Sequence, residues 1–249
     1  TLNIMSGAYE FNVVNVGGWG YAGTLNVKGG SLTTPRINIG IGTTSAVTLS
    51  GGEATVEEIY APNGTFTLSG GTLNAATETD YLFNAGTFVI NGGTIASDYA
   101  VGIHGTVTGA GTLTYTGSEN LTIYNVTLGS DGFGGTIVAT GEGSVILSAP
   151  KVGETTLDDI VITAENPYTV TYTWTGKGTE TTTTDEGTGE TTTTYEDTDL
   201  WANLDNWSID NVVPSALPAA DSTVVIPAAE DGDDSTLTIK CLYATAYTG

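Results

Sequence analysis

The chain has almost no positive charge: Lys and Arg number 5 against 28 Asp and Glu, a formal net charge of −23 over 249 residues. A nucleic-acid groove is built from clustered cations, so DNA and RNA are excluded as partners. The same sign argues against docking on anionic membranes. No uninterrupted apolar run reaches about 18 residues, so no membrane span is expected. A single cysteine, Cys241, excludes an internal disulfide; it shares parity with Leu237 and Ile239 and reads as a small core hydrophobe. The chain opens at Thr1 with neither an initiator Met nor a signal-peptide pattern, as expected of a mature product or an excerpt. Helical periodicity is missing too, since no segment keeps a 3.6-residue period over about ten residues.

What the chain does have is glycine, threonine and a repeat. Gly numbers 35 and Thr 47, while 39% of residues are hydrophobic, enough to bury a core. Low Lys with high Thr, Gly and Asn suits a secreted prokaryotic surface protein. The stretch Gly23-Thr-Leu-Asn-Val-Lys-Gly-Gly30 returns as Ala46-Val-Thr-Leu-Ser-Gly-Gly52, as Gly64-Thr-Phe-Thr-Leu-Ser-Gly-Gly71, and as Gly86-Thr-Phe-Val-Ile-Asn-Gly-Gly93. Its anchors Leu25, Val47, Phe66, Phe88 and Val107 lie 22, 19, 22 and 19 residues apart. Looser copies follow at Leu121-Thr-Ile123 and Ile137-Val138.

Each copy alternates apolar and polar residues, the period of a strand with one buried face. Gly-Gly then supplies the freedom for a corner. A unit of about 20 residues cannot close its own apolar face, but stacking on neighbours can. The sequence therefore predicts an all-β fold, a parallel β-helix (solenoid) of about 20-residue coils. Leu25, Val27, Val47, Leu49, Phe66, Leu68, Phe88 and Ile90 should form inward ladders, with Asn26, Thr48, Thr67 and Val89 outside.

The solenoid is expected over residues 1–167. Residues 168–212 should carry a β-hairpin and a Trp-rich capping segment: Thr179–Thr184 and Glu190–Thr194 flank the turn Asp185-Glu-Gly-Thr-Gly189, and Trp174, Trp201 and Trp207 supply a satellite core over the solenoid end. Residues 213–249 should hold strands, Thr223–Ile226 and Leu237–Cys241 among them, that lead back into solenoid phase. Asn63, Asn120, Asn125 and Asn206 open glycosylation sequons.

The combination of Thr173-Trp-Thr-Gly176, Asn206-Trp207, Pro214, Asp221-Ser-Thr-Val-Val-Ile226 and Gly-Gly β-repeats resembles large bacterial surface proteins with autotransporter-associated β-strand repeats. The resemblance implies a pectin-lyase-like right-handed β-helix with an extracellular structural or adhesive role. In that family the Trp segment precedes the repeats; here it follows them. Many solenoids of that kind are enzymes, which need cations or ordered carboxylates. Arg36 is the only arginine, and Lys28, Lys151, Lys177 and Lys240 are scattered. The pair Asp158-Asp159, read as part of a strand, would point to opposite faces. His104 has no second histidine to complete a metal site. No catalysis is expected, and no cofactor. Calcium is the one metal the acidic run Asp231, Asp233 and Asp234 would suit, while acidic loops are usually only solvated. Thr106/Thr108 and Thr112/Thr114 hint at an ice-binding face but do not recur at one phase on every coil.

The ends point to a partner. Tyr247-Thr-Gly249 followed by Thr1-Leu-Asn-Ile-Met-Ser-Gly7 continues in phase with Gly23-Thr-Leu-Asn-Val-Lys-Gly29. The expected partners are copies of the chain itself, head to tail, either in a tandem array or as stacked subunits. A heterologous contact that does not close makes a filament. The expected interface is Thr1, Leu2, Ile4, Leu237, Ile239, Tyr247 and Gly249, braced by Trp174, Trp201 and Trp207. The alternative function is an adhesin passenger presenting its loops or Thr hairpin to a glycan or host surface.

Overall fold

The structure is a computed structural model, and it describes residues 1–227 except Trp19, Asp199 and Asp221. The chain folds as a parallel β-solenoid of about seven turns, with no α-helix among the described residues. Three sheets run along it. The first stacks Leu2–Ile4, Thr24–Val27, Ser45–Leu49, the leading halves of Gly64–Ala75 and Thr87–Ala96, and Thr106–Thr108. The second stacks Ala8–Glu10, the leading halves of Ser31–Ile39 and Glu53–Tyr60, the trailing halves of Gly64–Ala75 and Thr87–Ala96, then Thr112–Tyr115 and Thr136–Ala139. The third joins Val14–Val16, the trailing halves of Ser31–Ile39 and Glu53–Tyr60, Thr79–Asn84, Val101–Ile103, Leu121–Tyr124 and Val145–Ser148.

Inside, the alternation of each strand becomes a continuous column. Leu25, Val47, Phe66, Phe88 and Val107 stack in register, as do Val27, Leu49, Leu68 and Ile90, and all are buried. The Phe66 and Phe88 rings stack at 5.4 Å, and Phe83 meets Phe88 edge-on at 5.1 Å. Asn26, Thr48, Thr67 and Val89 face outward, half exposed. There the amides form ladders of their own: Asn26 Nδ2 donates to Asn3 Oδ1, and Asn38 Nδ2 to Asn15 Oδ1, both at 2.8 Å.

The coils are somewhat longer than the repeat suggested. Leu2 pairs with Leu25, 23 residues on, and Leu113 pairs with Ile137, 24 residues on, because loops such as Gly129–Gly135 are inserted between rungs. The Gly-Gly corners also differ from expectation. At Gly70-Gly71 and Gly92-Gly93 the strand runs on through the bend. The second glycine of the first three corners is nonetheless obligatory: Gly30, Gly52 and Gly71 sit at φ +72°, +68° and +69°. A Cβ on Gly52 would lie 2.4 Å from the Gly30 carbonyl oxygen of the coil below. Corner stacks on corner too closely for any side chain.

Candidate functional site

The two ends of the solenoid differ in how the described strands finish it. At the N-terminal end, Leu2–Ile4, Ala8–Glu10 and Val14–Val16 each have a partner strand on one side only among the described residues. Ile4 and Val16 turn inward and are buried. Their neighbours are not covered: Leu2 is 58% exposed, Met5 63%, and Tyr9, Phe11 and Val13 between 44% and 46%. Among the described residues the end thus combines unpaired strand backbone with an apolar rim.

The other end is closed. Ile160–Ile162 turns back and pairs antiparallel with Val145–Ser148, and Tyr168–Thr169 pairs antiparallel with Thr136–Ala139. Over this cap lies a small sheet in which Thr171–Trp174 pairs with Trp207–Ser208 and Thr223–Val225. Trp174, Trp201 and Trp207 cluster as expected: ring centroids lie 4.9 Å apart for Trp174–Trp207 and 4.6 Å for Trp201–Trp207, both edge-on. The Trp207 indole N–H donates to the Trp201 carbonyl at 3.0 Å. Asn206, fully buried, accepts from the Gly178 N–H and donates to the Asp197 and Leu200 carbonyls. A side chain so enclosed cannot receive a glycan in the folded protein, which removes Asn206 from the sequons read in the sequence.

Two tyrosines tie lid to solenoid. The Tyr172 hydroxyl accepts from the Ser130 N–H at 2.7 Å, and Ser130 Oγ donates to the Leu217 carbonyl at 2.7 Å. Tyr168 donates to Asp210 Oδ2 at 2.7 Å, and burial first, then that carboxylate, pushes its pKa far up. In one chain, Trp174, Trp201 and Trp207 therefore sit at the opposite end from Thr1, Leu2 and Ile4. Leu237, Ile239, Tyr247 and Gly249 lie outside the described residues, as do Cys241 and the calcium candidates Asp231, Asp233 and Asp234.

Arg36, Asp158, Asp159 and His104 are dispersed along the solenoid, and the buried Nε2 of His104 has no hydrogen-bond partner among the described residues. Arg36 donates to Asn38 Oδ1, lies 3.4 Å from Glu58 and stacks over Tyr60 at 5.2 Å. Asp158 and Asp159 are exposed in a loop rather than on a strand, and Asp159 Oδ1 accepts from the Ala149 N–H. His104 stands on the third sheet between Tyr81, at 4.8 Å, and Tyr124, at 4.1 Å. No group of three potential metal ligands exists among the described residues. The Thr-x-Thr pairs fall on different sheets, Thr106/Thr108 on the first and Thr112/Thr114 on the second.

Thr179–Thr184 and Thr191–Glu196 form an antiparallel hairpin whose residues are all exposed. Its turn is an Asx turn: Asp185 Oδ1 accepts from the Thr188 and Gly187 N–H groups, which lowers its pKa. The asymmetry of the two ends gave no signal in the sequence beyond the Trp-rich composition of the lid, because an antiparallel cap and a parallel rung share the same alternation.

Compared with family models, curated proteins and solved structures, the chain matches none of them.

Proposed function

We propose that this chain is a non-catalytic structural unit of an extracellular prokaryotic fibre, sheath or surface layer, joined head to tail to copies of itself. The observation that supports this most is the open N-terminal rung, apolar at its rim and paired on one side only, opposite an end sealed by antiparallel strands and tryptophans. Such a unit gains contacts along one axis with one polarity, and a repeated contact of that kind extends rather than closes. The resemblance of its Trp-Gly and Asn-Trp motifs to bacterial surface proteins with autotransporter-associated repeats, and its own low-Lys, Thr- and Gly-rich composition, support the extracellular setting. The net charge of −23 supports fibres that keep apart from each other.

The adhesin reading has its own observation, a Thr hairpin exposed on every residue, with the Tyr81–His104–Tyr124 stack on the solenoid flank as a second surface for a glycan. Negative-stain electron microscopy of the purified chain over a concentration series separates the two. End-to-end fibres about one solenoid wide support the structural reading. Monodisperse single particles at the highest concentration overturn it in favour of the adhesin.

A further inference from the structure

The three sheets of the solenoid do not present the same outer face. On the parallel rungs of the first and second sheets the outward positions are small or polar, and none is aromatic. Asn26, Thr48 and Thr67 are examples on one, and Thr33, Thr55 and Thr114 on the other. The third sheet is different. Asn15, Asn38, Tyr60 and Asn84 pair in register along its outer face. His104 and Tyr124 continue the column, each one residue beyond the paired Ile103 and Ile123, with their rings stacked at 4.1 Å. Tyr81 joins from the side, 4.8 Å from His104 and 48% exposed. The core uses none of these rings, since Leu82, Phe83, Ile103 and Ile123 fill the interior of those coils.

Two further features set this strip apart. The phenol groups of Tyr60, Tyr81 and Tyr124 make no hydrogen bond among the described residues, whereas those of Tyr115, Tyr168 and Tyr172 each donate one. His104 Nε2 is buried without a partner, a cost that an aliphatic side chain at the same position would avoid. A histidine kept there at a cost points to use of the strip rather than to stability. The polar groups beside the rings are already fixed in place. Arg36 donates to Asn38 Oδ1 and pairs with Glu58, and Asn84 Nδ2 donates to Glu58 Oε1 at 3.3 Å.

We propose that this strip binds a neutral polysaccharide laid along the solenoid axis. A pyranose ring offers an apolar face of C–H groups to an aromatic ring, and hydroxyls to amides, carboxylates and phenols; the strip interleaves these partners. From Asn38 to Tyr124 it covers four rung steps, about 19 Å at about 4.8 Å each. One step is close to the length of one pyranose unit, so a linear chain meets a similar set of groups at each rung. Charge selects the neutral class. Arg36 and Glu58 cancel, while the exposed Asp80 beside Tyr81 and the net charge of −23 turn away uronates and sulfated chains. A protein partner fits less well, because no Leu, Ile, Val or Met faces outward on these rungs to form the apolar core of an interface. The claim goes beyond the head-to-tail reading and does not depend on it; for the adhesin reading it names the class of glycan.

The test is biolayer interferometry on the immobilised full chain, which reads binding whether the protein is single or in fibres. Hydroxyethyl cellulose, laminarin, dextran and galactomannan are the neutral probes, with polygalacturonate as the anionic control. At least one neutral probe should bind and polygalacturonate should not. Oligosaccharides cut from the bound polymer should gain affinity with length up to about four units, one per rung step, and then level off. Tyr81→Ala with Tyr124→Ala should weaken binding at least tenfold. Tyr60→Phe, which keeps the ring and removes the phenol oxygen, should weaken it less, and Thr67→Ala on the first sheet should leave it unchanged. Circular dichroism checks that each variant folds. No binding of any neutral probe overturns the strip and leaves the head-to-tail reading standing. Equal binding of polygalacturonate, or undiminished binding by the double variant, overturns it as well. If no probe binds and the double variant instead abolishes side-by-side association in electron micrographs, the strip is a contact between copies and the proposal falls.

Discussion

Replacing Leu68 with Ala tests the register on which everything else depends. Leu68 is fully buried between Leu49 and Ile90 on the adjacent coils. The substitution removes three carbons, about 2.4 kcal/mol at about 0.8 kcal/mol per buried CH2. The cavity adds to this, because rungs above and below are fixed by ladder hydrogen bonds and cannot close on the void. The expected loss is about 3–5 kcal/mol, the upper part of the range for large-to-small core changes. Thr67→Ala, one residue away on the half-exposed outer face, should stay within about 0.5 kcal/mol. Urea unfolding followed by far-ultraviolet circular dichroism and by tryptophan fluorescence measures both. The two signals must first coincide, since stacked repeats can lose cooperativity. A Leu68→Ala loss below about 1 kcal/mol, or a Thr67→Ala loss as large, would refute the inward phase.

The corner glycines give a paired test: Gly52→Ala meets the Gly30 carbonyl at 2.4 Å and should cost more than the roughly 1–2 kcal/mol of left-handed strain alone. Gly42→Ala, also at positive φ but with open space around its Cβ, should cost only that strain, and equal losses in thermal unfolding would remove the close-stacking argument. Asn206→Ala strands the Gly178 N–H and two carbonyls, about 1–3 kcal/mol for each buried group; tryptophan emission should shift red at lower urea than the loss of β-sheet signal, and coincident transitions would count against a separately melting lid. Alkaline pH should also destabilise the fold. Tyr115, buried and donating to the Glu119 carbonyl, has its pKa raised from 10.0 to about 12, and Tyr168 is raised too. Both are held neutral, so their contribution is complete below pH 10 and is lost as pH rises through the folded values. Midpoints that stay flat from pH 8 to 11.5 would contradict this.

The solenoid was legible because its signal is periodic. Leu25, Val47, Phe66 and Phe88 mark one column of the core, and any strand register that buries one of them buries all four. The lid was legible only as composition. Trp174, Trp201 and Trp207 announced a satellite core, but nothing in Ile160–Ile162 or Tyr168–Thr169 distinguishes an antiparallel return from another parallel coil. The reversal is decided by tertiary packing on Val145–Ser148 and Thr136–Ala139. Likewise, Asp158-Asp159 reads as strand by its apolar neighbour Ile160, whereas the Ala149 N–H holds Asp159 in a loop. Asn206 opened a sequon for a related reason: Asn-x-Ser is a local pattern, and burial is not.

Charge and end geometry act along different directions, and salt should separate them. Among the described residues the acidic side chains stand on outer faces and loops, with Glu10 at the open rung itself, while that rung offers Leu2, Met5, Tyr9, Phe11 and Val13 and strand backbone paired on one side only. In the proposed fibre, repulsion between neighbouring units would therefore be mostly lateral. At about 0.15 M salt the Debye length is about 8 Å, and at about 1 M it falls to about 3 Å. The proposed end contact, apolar and made by strand pairing, would be screened little by comparison and strengthened by salts that favour burial. Raising sodium sulfate should thus bundle fibres side by side without shortening them, as read by light scattering together with fibre width and length in electron micrographs. Changing Leu2 and Tyr9 to Asp places charge in the joint itself, where an unpaired carboxylate facing apolar rungs is costly, and should abolish length at every salt concentration. Fibres that instead dissolve into single units at high salt would mean that charge pairs hold the ends, and the apolar rung would lose its role.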